Sequence, residues 1–221
     1  MSSMRIIAGR WRSRRIEAPL AHGTRPVPDR VKGAVFDILG SRLGTPGALP
    51  PVCVADFFAG SGSMGLEAVS RGARGCVFVE RRPEALRVLR RNLDRLQAGP
   101  SLRLVGADAW TYPSDRVLPL GQSWGLIFVD PPYRDSRDSG PGGKVSCLLA
   151  RLVRAGCVES DTLVVLHHER TVCYEWASAC EQDPGWSIAA RREYGTTAVS
   201  FFTLAAGTEA SGSGAAETGL D

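Results

Sequence analysis

Short apolar runs that alternate with helical patterns are the feature that most constrains the fold of this chain. The runs occupy positions 52–58, 76–79, 102–105, 126–129 and 162–166, and helical periodicity lies between them at 66–71, 84–96 and 145–155. Apolar strands joined by helices are typical of a mostly parallel sheet that is covered on both faces. The sequence therefore predicts an α/β fold.

The N-terminal part departs from this alternation. Segments 5–7 and 14–16 are short, arginine-rich and apolar, which predicts a basic hairpin placed before the main fold. A helical stripe of Val31, Val35 and Leu39 then begins near Pro28, and we expect this helix to join the hairpin to the core.

The C-terminal part also departs from it. Segments 187–194 and 198–204 flank the turn residues 195–197, which predicts a hairpin that adds an antiparallel pair to the sheet edge. Residues 206–221 are small and polar, and we expect a disordered tail there.

Length and composition favour one domain. A chain of 221 residues with 43% hydrophobic content can bury one substantial core. We divide it into a basic extension (1–40), a catalytic domain (41–205) and the tail (206–221), and we expect a monomer.

Charge is concentrated near the N-terminus. The net charge is only +4, yet the first 32 residues carry eight basic and two acidic side chains. Such clustering favours a nucleic-acid partner, with a merely solvated terminus as the alternative.

Cysteine spacing and hydropathy indicate the compartment. The six cysteines form no C-x-x-C pair and no zinc-like spacing with histidine. No apolar run approaches the ~20 residues of a membrane span, and no signal peptide is apparent. We therefore expect a cytoplasmic protein with reduced thiols.

A glycine-rich loop follows the first apolar run, at the carboxyl edge where doubly wound sheets bind ligands. Alone it is a weak signal, because a plain turn or a dinucleotide loop would explain it equally well. The candidate cofactor-binding residues here are Asp56, Phe58, Ala59, Gly60, Ser61, Gly62 and Gly65.

Acidic residues at successive strand ends narrow the choice of ligand. Glu80 can accept the hydroxyls of a ribose, and Asp108, followed by Ala109, can meet an adenine amino group. Carboxylates repel a pyrophosphate, and the loop lacks a P-loop lysine. S-adenosylmethionine therefore fits better than NAD, since Asp56 can favour its positive charge. Trp110 is a candidate for stacking on adenine, with an ordinary core position as the alternative.

A fourth acidic strand end opens the sequence Asp130-Pro131-Pro132-Tyr133. The two prolines fix φ near −65° and carry no N–H, so this turn is stiff and its carbonyls can accept hydrogen bonds. A carboxylate, carbonyls and an aromatic ring together suit an exocyclic amino group on a planar base. These four residues are the predicted catalytic turn.

The glycine loop, Glu80, Asp108 and the catalytic turn, in this order, resemble a class I methyltransferase that acts on amino nitrogens. The stretch from Arg5 to Arg12, then 24–26 and 29–32 leading into Phe36, is similar to the bacterial family that methylates guanine N2 in 16S ribosomal RNA. Similarity extends from about residue 4 to 204. The glycine loop and catalytic turn are shared with DNA adenine and protein-glutamine methyltransferases, so the N-terminal pattern alone points to the ribosomal group.

This resemblance implies a Rossmann-like fold with a mostly parallel seven-stranded sheet and an antiparallel C-terminal hairpin strand. It also implies S-adenosylmethionine as cofactor, 16S ribosomal RNA in a small-subunit assembly particle as partner, and no required metal. RNA contacts are expected from Arg10, Arg12, Arg25, Arg30 and Tyr133. For Arg25 and Arg30 the alternative is a structural ion pair with Asp29 or Asp37.

Two departures from the family pattern stand out. Gly33 occupies a position that is usually acidic, and His167 and His168 stand where the fifth strand usually ends in glutamate. We assign neither histidine a catalytic role. Two other functions remain open, a DNA adenine-N6 methyltransferase and a non-catalytic RNA-binding assembly factor.

Overall fold

The computed structural model describes residues 4–19, 27–112, 123–174 and 185–204. In chain order its elements are β1 (Met4–Arg5), β2 (Arg15–Ile16), α1 (Asp29–Arg42), β3 (Cys53–Phe57), α2 (Ser63–Ser70), β4 (Gly75–Glu80), α3 (Pro83–Leu96), β5 (Leu102–Gly106), β6 (Trp124–Val129), α4 (Tyr133–Ser136), α5 (Lys144–Arg154), β7 (Val158–Glu169), β8 (Trp186–Tyr194) and β9 (Thr197–Leu204). Arg25 and the predicted tail at 206–221 lie outside the described residues.

Seven strands form the central sheet, in the order β5-β4-β3-β6-β7-β9-β8. The first five are parallel, and β9 runs antiparallel between β7 and β8. The predicted fold class is therefore confirmed. The strand order reverses between β4 and β6, on either side of β3, and the carboxyl ends of these strands border the crevice where such sheets bind ligands.

Both faces of the central strands β3, β4 and β6 are buried, as the uninterrupted apolar runs predict. Val54, Phe78 and Phe128 pack on one face, where the hairpin and helices α1, α2 and α3 also contribute to the core. Residues one position away, such as Ala55 and Val129, pack on the other face with α5. Alternation of side chains along each strand therefore supplies two apolar layers.

Three differences from the predicted element boundaries concern the surroundings of the candidate site. Helix α2 begins at Ser63 rather than at 66, because Gly62 adopts a left-handed conformation and ends the loop earlier. Strand β7 extends beyond the predicted 162–166 at both ends. Its polar last residues are strand because they pair with β9, for example His167 with Val199. Strand β5 ends at Gly106, so Asp108 follows the strand and does not close it.

The N-terminal hairpin of β1 and β2 is fixed to helix α2 through a buried carboxylate. Glu67 accepts hydrogen bonds from the backbone N–H groups of Ile7 (2.7 Å) and Ala8 (3.0 Å) and from Nε of Arg71 (2.8 Å). Nζ of the buried Lys32 lies 3.7 Å from the same carboxylate. A buried charge is tolerated when it is paired and hydrogen-bonded, as here.

Apolar residues of the hairpin enter the same core as the sheet. Ile6, Trp11 and Ile16 are buried in the cluster that contains Val54 and Leu66. The hairpin and the catalytic domain therefore share one apolar layer, and the boundary at residue 40 stays a prediction. None of the helices among the described residues has the length and apolar character needed to span a bilayer.

Candidate active site

The catalytic turn lies where β6 ends, beside the end of β3. The backbone N–H of Asp130 donates to the carbonyl of Phe57 at 3.4 Å, which holds the turn against the neighbouring strand. Pro131 is buried, and the carbonyl of Pro132 accepts a hydrogen bond from the backbone N–H of Asp135 (2.8 Å) in the first turn of α4. The sequence did not predict this short helix, which continues the rigid turn.

Two side chains of the turn face outward. The side chain of Asp130 is 36% exposed, and Tyr133 is 37% exposed. Large apolar side chains are seldom left this open, and within the described part of the chain only Tyr133 and Ile188 are. An accessible carboxylate beside an accessible aromatic ring is the arrangement that base recognition by stacking and hydrogen bonding requires.

The glycine-rich loop connects β3 to α2. Phe58 adopts φ +67°, a left-handed conformation that is uncommon for a bulky residue and that often marks a functional turn. A Cβ added at Gly60 would meet no atom closer than 3.9 Å, so this part of the loop is open. Gly60 is therefore the loop residue best placed to approach a ligand with its backbone.

The other loop residues serve packing. A Cβ at Gly65 would lie 2.5 Å from Sγ of Cys76 and from the ring of Phe78, so glycine here allows α2 to approach β4. Ala59 and Ser61 are buried, and the carbonyl of Ser61 accepts a hydrogen bond from the Asn92 side chain at 3.0 Å. Gly62 caps α2. These four residues therefore fix the shape of the loop from its buried side.

Asp56 lies beneath the loop, almost fully buried. Its Oδ2 accepts the backbone N–H of Gly65 at 2.9 Å. Burial raises the pKa of this carboxyl well above its usual range, the Gly65 hydrogen bond lowers it, and the charges of Asp130 and Glu80 raise it further. The three acidic residues therefore interact electrostatically, as expected if they border one crevice.

Arginines that follow Glu80 cover two of the acidic side chains. The Glu80 carboxylate accepts the backbone N–H groups of Gly60 (2.9 Å), Arg81 (3.0 Å) and Arg82 (2.9 Å), and also Nε of Arg82 at 3.1 Å. Arg81 pairs with Asp108 at 2.8 Å. Among the donors to Glu80, the Arg82 guanidinium is the partly exposed one. A ribose that bound to Glu80 would therefore replace this guanidinium. Both arginines directly follow Glu80, yet their contacts were not predicted from the sequence.

The segment that follows β5 is held by a hydrogen bond from helix α5. Arg151 of α5 donates to the carbonyl of the buried Ala109 at 2.9 Å. The ring of Trp110 packs against Phe58, with ring centroids 4.6 Å apart and planes inclined by 55°. In this arrangement Trp110 contacts the loop residue Phe58, and stacking on adenine stays a prediction.

Three of the arginines that were expected to contact RNA lie on the surface of the hairpin and of helix α1. Arg10 and Arg12 are exposed on the hairpin, and the Arg10 guanidinium lies 4.2 Å from the centre of the Trp11 ring. Arg30 is exposed in the first turn of α1, while the neighbouring Asp29 pairs with Arg5 at 3.1 Å. The described hairpin therefore carries the charge on its surface and its apolar side chains inward.

His167 is the residue whose position the sequence analysis did not foresee. Its Nδ1 lies 2.9 Å from Oδ1 of Asp130, and its ring meets Tyr133 edge-on with centroids 6.1 Å apart. The available signal was a histidine at the strand position that is usually glutamate. Such a signal does not reveal that the side chain contacts the catalytic turn.

A glycine loop, acidic residues at the carboxyl edge and an antiparallel strand in this order are the arrangement of Rossmann-like class I methyltransferases. Proteins of this class in general use S-adenosylmethionine. The comparisons with known proteins identify the family within the class.

The family model described as conserved hypothetical protein 95 matches residues 4–203. YlbH of Bacillus subtilis, provisionally described as an rRNA methyltransferase, is 30% identical over 204 residues, which cover 90% of this chain and 98% of that protein. Ribosomal RNA small subunit methyltransferase D of Escherichia coli K12 is 37% identical over 131 residues, which cover 59% of this chain and 61% of that protein. The solved structure of yhhF from Escherichia coli, also provisionally described as a methyltransferase, has 28% identity and a TM-score of 0.70 over 92% of this chain and 98% of that one. The chain therefore belongs to the conserved hypothetical protein 95 family of methyltransferases, and the resemblance stated from its motifs is confirmed.

Proposed function

We propose that this protein transfers a methyl group from S-adenosylmethionine to the exocyclic N2 amine of a guanine in small-subunit ribosomal RNA. The observation that carries the proposal is that one turn, at the strand edge beside the glycine loop, presents both the accessible Asp130 carboxylate and the accessible Tyr133 ring. The names of the relatives, which include ribosomal RNA small subunit methyltransferase D, support the RNA substrate.

The crevice suits a cationic nucleoside. Asp56 is a buried carboxyl with a raised pKa, and a nearby positive charge would favour its ionised form. Glu80 and Asp108 would accept the ribose hydroxyls and the adenine amine, and Gly60 leaves room for the ligand beside the backbone. The chemistry of this donor set therefore fits S-adenosylmethionine.

When bound, this cofactor supplies a methyl carbon whose bond to a positively charged sulfur breaks with the electron pair staying on sulfur. The protein residues align the amine with that carbon and exclude water. Asp130 and the Pro131 carbonyl accept hydrogen bonds from the amine, so that its lone pair points at the methyl carbon. The amine nitrogen forms its new bond with that lone pair, and its surplus proton passes to Asp130 and then to water.

Tyr133 and the arginines act on the rest of the substrate. The Tyr133 ring stacks on the extruded base, an interaction that contributes about 1–3 kcal/mol per base in single-strand binders. Exposed arginines of the hairpin and α1 bind phosphates, which positions the RNA without reading its sequence. An unpaired or loop guanine is the favoured target, because extruding it costs less.

The test is labelled methyl transfer in vitro. Small subunits from cells that lack this methyltransferase should accept a labelled methyl group, and nuclease mapping should place it on guanine N2. Asp130→Ala should lower turnover roughly a hundredfold or more, since amine orientation and proton acceptance are both lost. Arg154→Ala, a change on an exposed residue of α5, is the matched control. Wild-type turnover in Asp130→Ala, or label found on DNA adenine, would contradict the proposal.

A further inference from the structure

The carboxylate of the catalytic turn has a histidine partner on the neighbouring strand. Strand β7 continues beyond its apolar core, and its residue His167 reaches back to Asp130, with Nδ1 2.9 Å from Oδ1. The side chain of His167 is only 13% exposed, whereas that of Asp130 is 36% exposed. The partner is therefore held inside the protein, and the carboxylate keeps part of its surface accessible.

The adjacent histidine has different surroundings. Successive side chains of a strand point to opposite faces, and His168 lies fully buried with Nε2 2.8 Å from Oγ of Ser200 and its ring edge-on to Tyr174. Burial is the main cause that lowers the pKa of His168 to about 4. Of the two neighbouring histidines, His167 is the one that contacts the catalytic turn.

A single hydrogen bond has a clear consequence for a carboxylate that must orient an amine. The torsion that rotates a carboxyl group is broad and roughly two-fold, so an untethered Asp130 could turn its oxygens over a wide range. A donor on Oδ1 restricts this rotation and leaves Oδ2 directed to the amine. Restricting the rotation in advance stabilises the aligned geometry that methyl transfer requires.

We propose that His167 is a positioning residue of this reaction, which holds Oδ1 of Asp130 so that Oδ2 orients the amine and accepts its proton. The inference rests on the function proposed above. His167 acts only through Asp130, and its charge state sets how strongly the carboxylate can accept.

Several charged or titratable groups lie on the elements next to His167. They are Asp130 at the end of β6, Tyr133 in α4, and, on β7 itself, His168 and Glu169, the last paired with Arg137 at 2.8 Å. On β9 the residue paired with His167 is the apolar Val199. Asp130 is the group in direct hydrogen-bond contact.

This environment gives the pair a pH dependence. Burial lowers the pKa of His167, but the charge of Asp130 and the hydrogen bond to it outweigh burial, so the pKa lies above its usual value. Below that pKa the imidazolium attracts electron density from the Asp130 carboxylate, so the carboxylate is a weaker hydrogen-bond acceptor for the amine. Above it a neutral imidazole still donates through Nδ1–H, and Asp130 accepts more strongly. Turnover should therefore rise with pH through the His167 titration.

Three variants test the inference by kinetics. His167→Ala should lower kcat roughly tenfold to a hundredfold, with the KM for RNA and the Kd for S-adenosylmethionine little changed. His167→Asn places a non-titrating N–H donor near the position of Nδ1, so it should restore most of kcat and abolish the pH inflection. His168→Asn is the matched control, because it alters a buried neighbour that does not touch Asp130, and it should keep the inflection.

An NMR titration of the protein without substrate supplies a readout independent of activity. The imidazole of His167 should titrate above about 6.5, the ordinary histidine value, and Asp130→Asn should shift that titration downwards. An unchanged titration in Asp130→Asn would overturn the inference, as would wild-type kcat and pH profile in His167→Ala. If the wild-type protein methylated no ribosomal guanine, the proposed function would fail, while the titration would still decide the His167–Asp130 pairing.

Discussion

Asp56 illustrates at the residue scale how a ligand site conflicts with stability. The fold buries this carboxyl under the glycine loop with one backbone donor, that of Gly65, and with the charges of Asp130 and Glu80 nearby. Burial is the largest of the causes that raise its pKa. An ionised Asp56 is therefore less favourable in the folded protein than a neutral one.

This conflict predicts that Asp56→Asn stabilises the protein at neutral pH. The unfolded chain releases the Asp56 proton near the ordinary carboxyl pKa of about 3.9, whereas the folded protein holds it to higher pH. The folded state therefore binds more protons in that window, and its stability falls as pH rises through it. Asparagine keeps an acceptor for Gly65 and does not titrate, so we expect the free energy of unfolding at pH 7 to increase by on the order of 1 kcal/mol.

Urea denaturation measured from pH 4 to pH 8 would check this prediction. The difference in free energy of unfolding between Asp56→Asn and wild type should become smaller towards pH 4, because less of the wild-type Asp56 carboxyl is ionised there. Asp37→Asn, a change in an exposed carboxylate of α1, should stay within about 0.5 kcal/mol of wild type. Calorimetry should also find weaker binding of S-adenosylmethionine to Asp56→Asn. Equal or lower stability of that variant at pH 7 would count against the account.

At the scale of elements, helix α2 links the glycine-rich loop to the basic hairpin. The helix follows Gly62 of the loop, and its Glu67 holds the backbone of Ile7 and Ala8. The hairpin thus has a fixed position relative to the crevice. We infer that its exposed arginines place the RNA backbone while the catalytic turn receives the base.

Exchanging Arg10 and Arg12 together for alanine should weaken RNA binding without harming the chemical step. We expect a higher KM for RNA, an unchanged kcat at saturating RNA, and a salt dependence of log K whose slope falls by about 1 for each phosphate that the variant no longer neutralises. Binding measured across a range of salt concentrations gives this slope. Arg154→Ala lies on α5, which packs on the opposite face of the sheet, and should leave the slope unchanged. A double variant with the wild-type slope would exclude the hairpin from phosphate binding.

At the scale of the whole molecule, the sequence predicts the architecture better than the site. Every strand of the sheet was predicted at about its position, the central strands from continuous apolar runs that are buried on both faces and the last two from the turn residues between them. The polar ends of β7 were missed, since the strand conformation of its last residues depends on pairing with β9, which is distant in the chain.

The site was predicted in outline only. Acidic residues and glycines next to apolar runs identify the carboxyl edge, yet spacing does not reveal which side chains meet across strands. Asp130 and His167 are 37 positions apart, and they meet because β6 and β7 pair in parallel. The cover of Glu80 by Arg82 and of Asp108 by Arg81 depends likewise on rotamers that the sequence does not encode.

Mass-spectrometric comparison of ribosomal RNA nucleosides tests the central claim most directly. Cells that lack this protein should lose N2-methylguanosine from one position of small-subunit RNA. Expression of the wild-type protein in these cells should restore the modified nucleoside, and expression of Asp130→Ala should not. The two proteins should be present at similar levels. An unchanged nucleoside profile in the deletion, or full restoration by Asp130→Ala, would contradict the account.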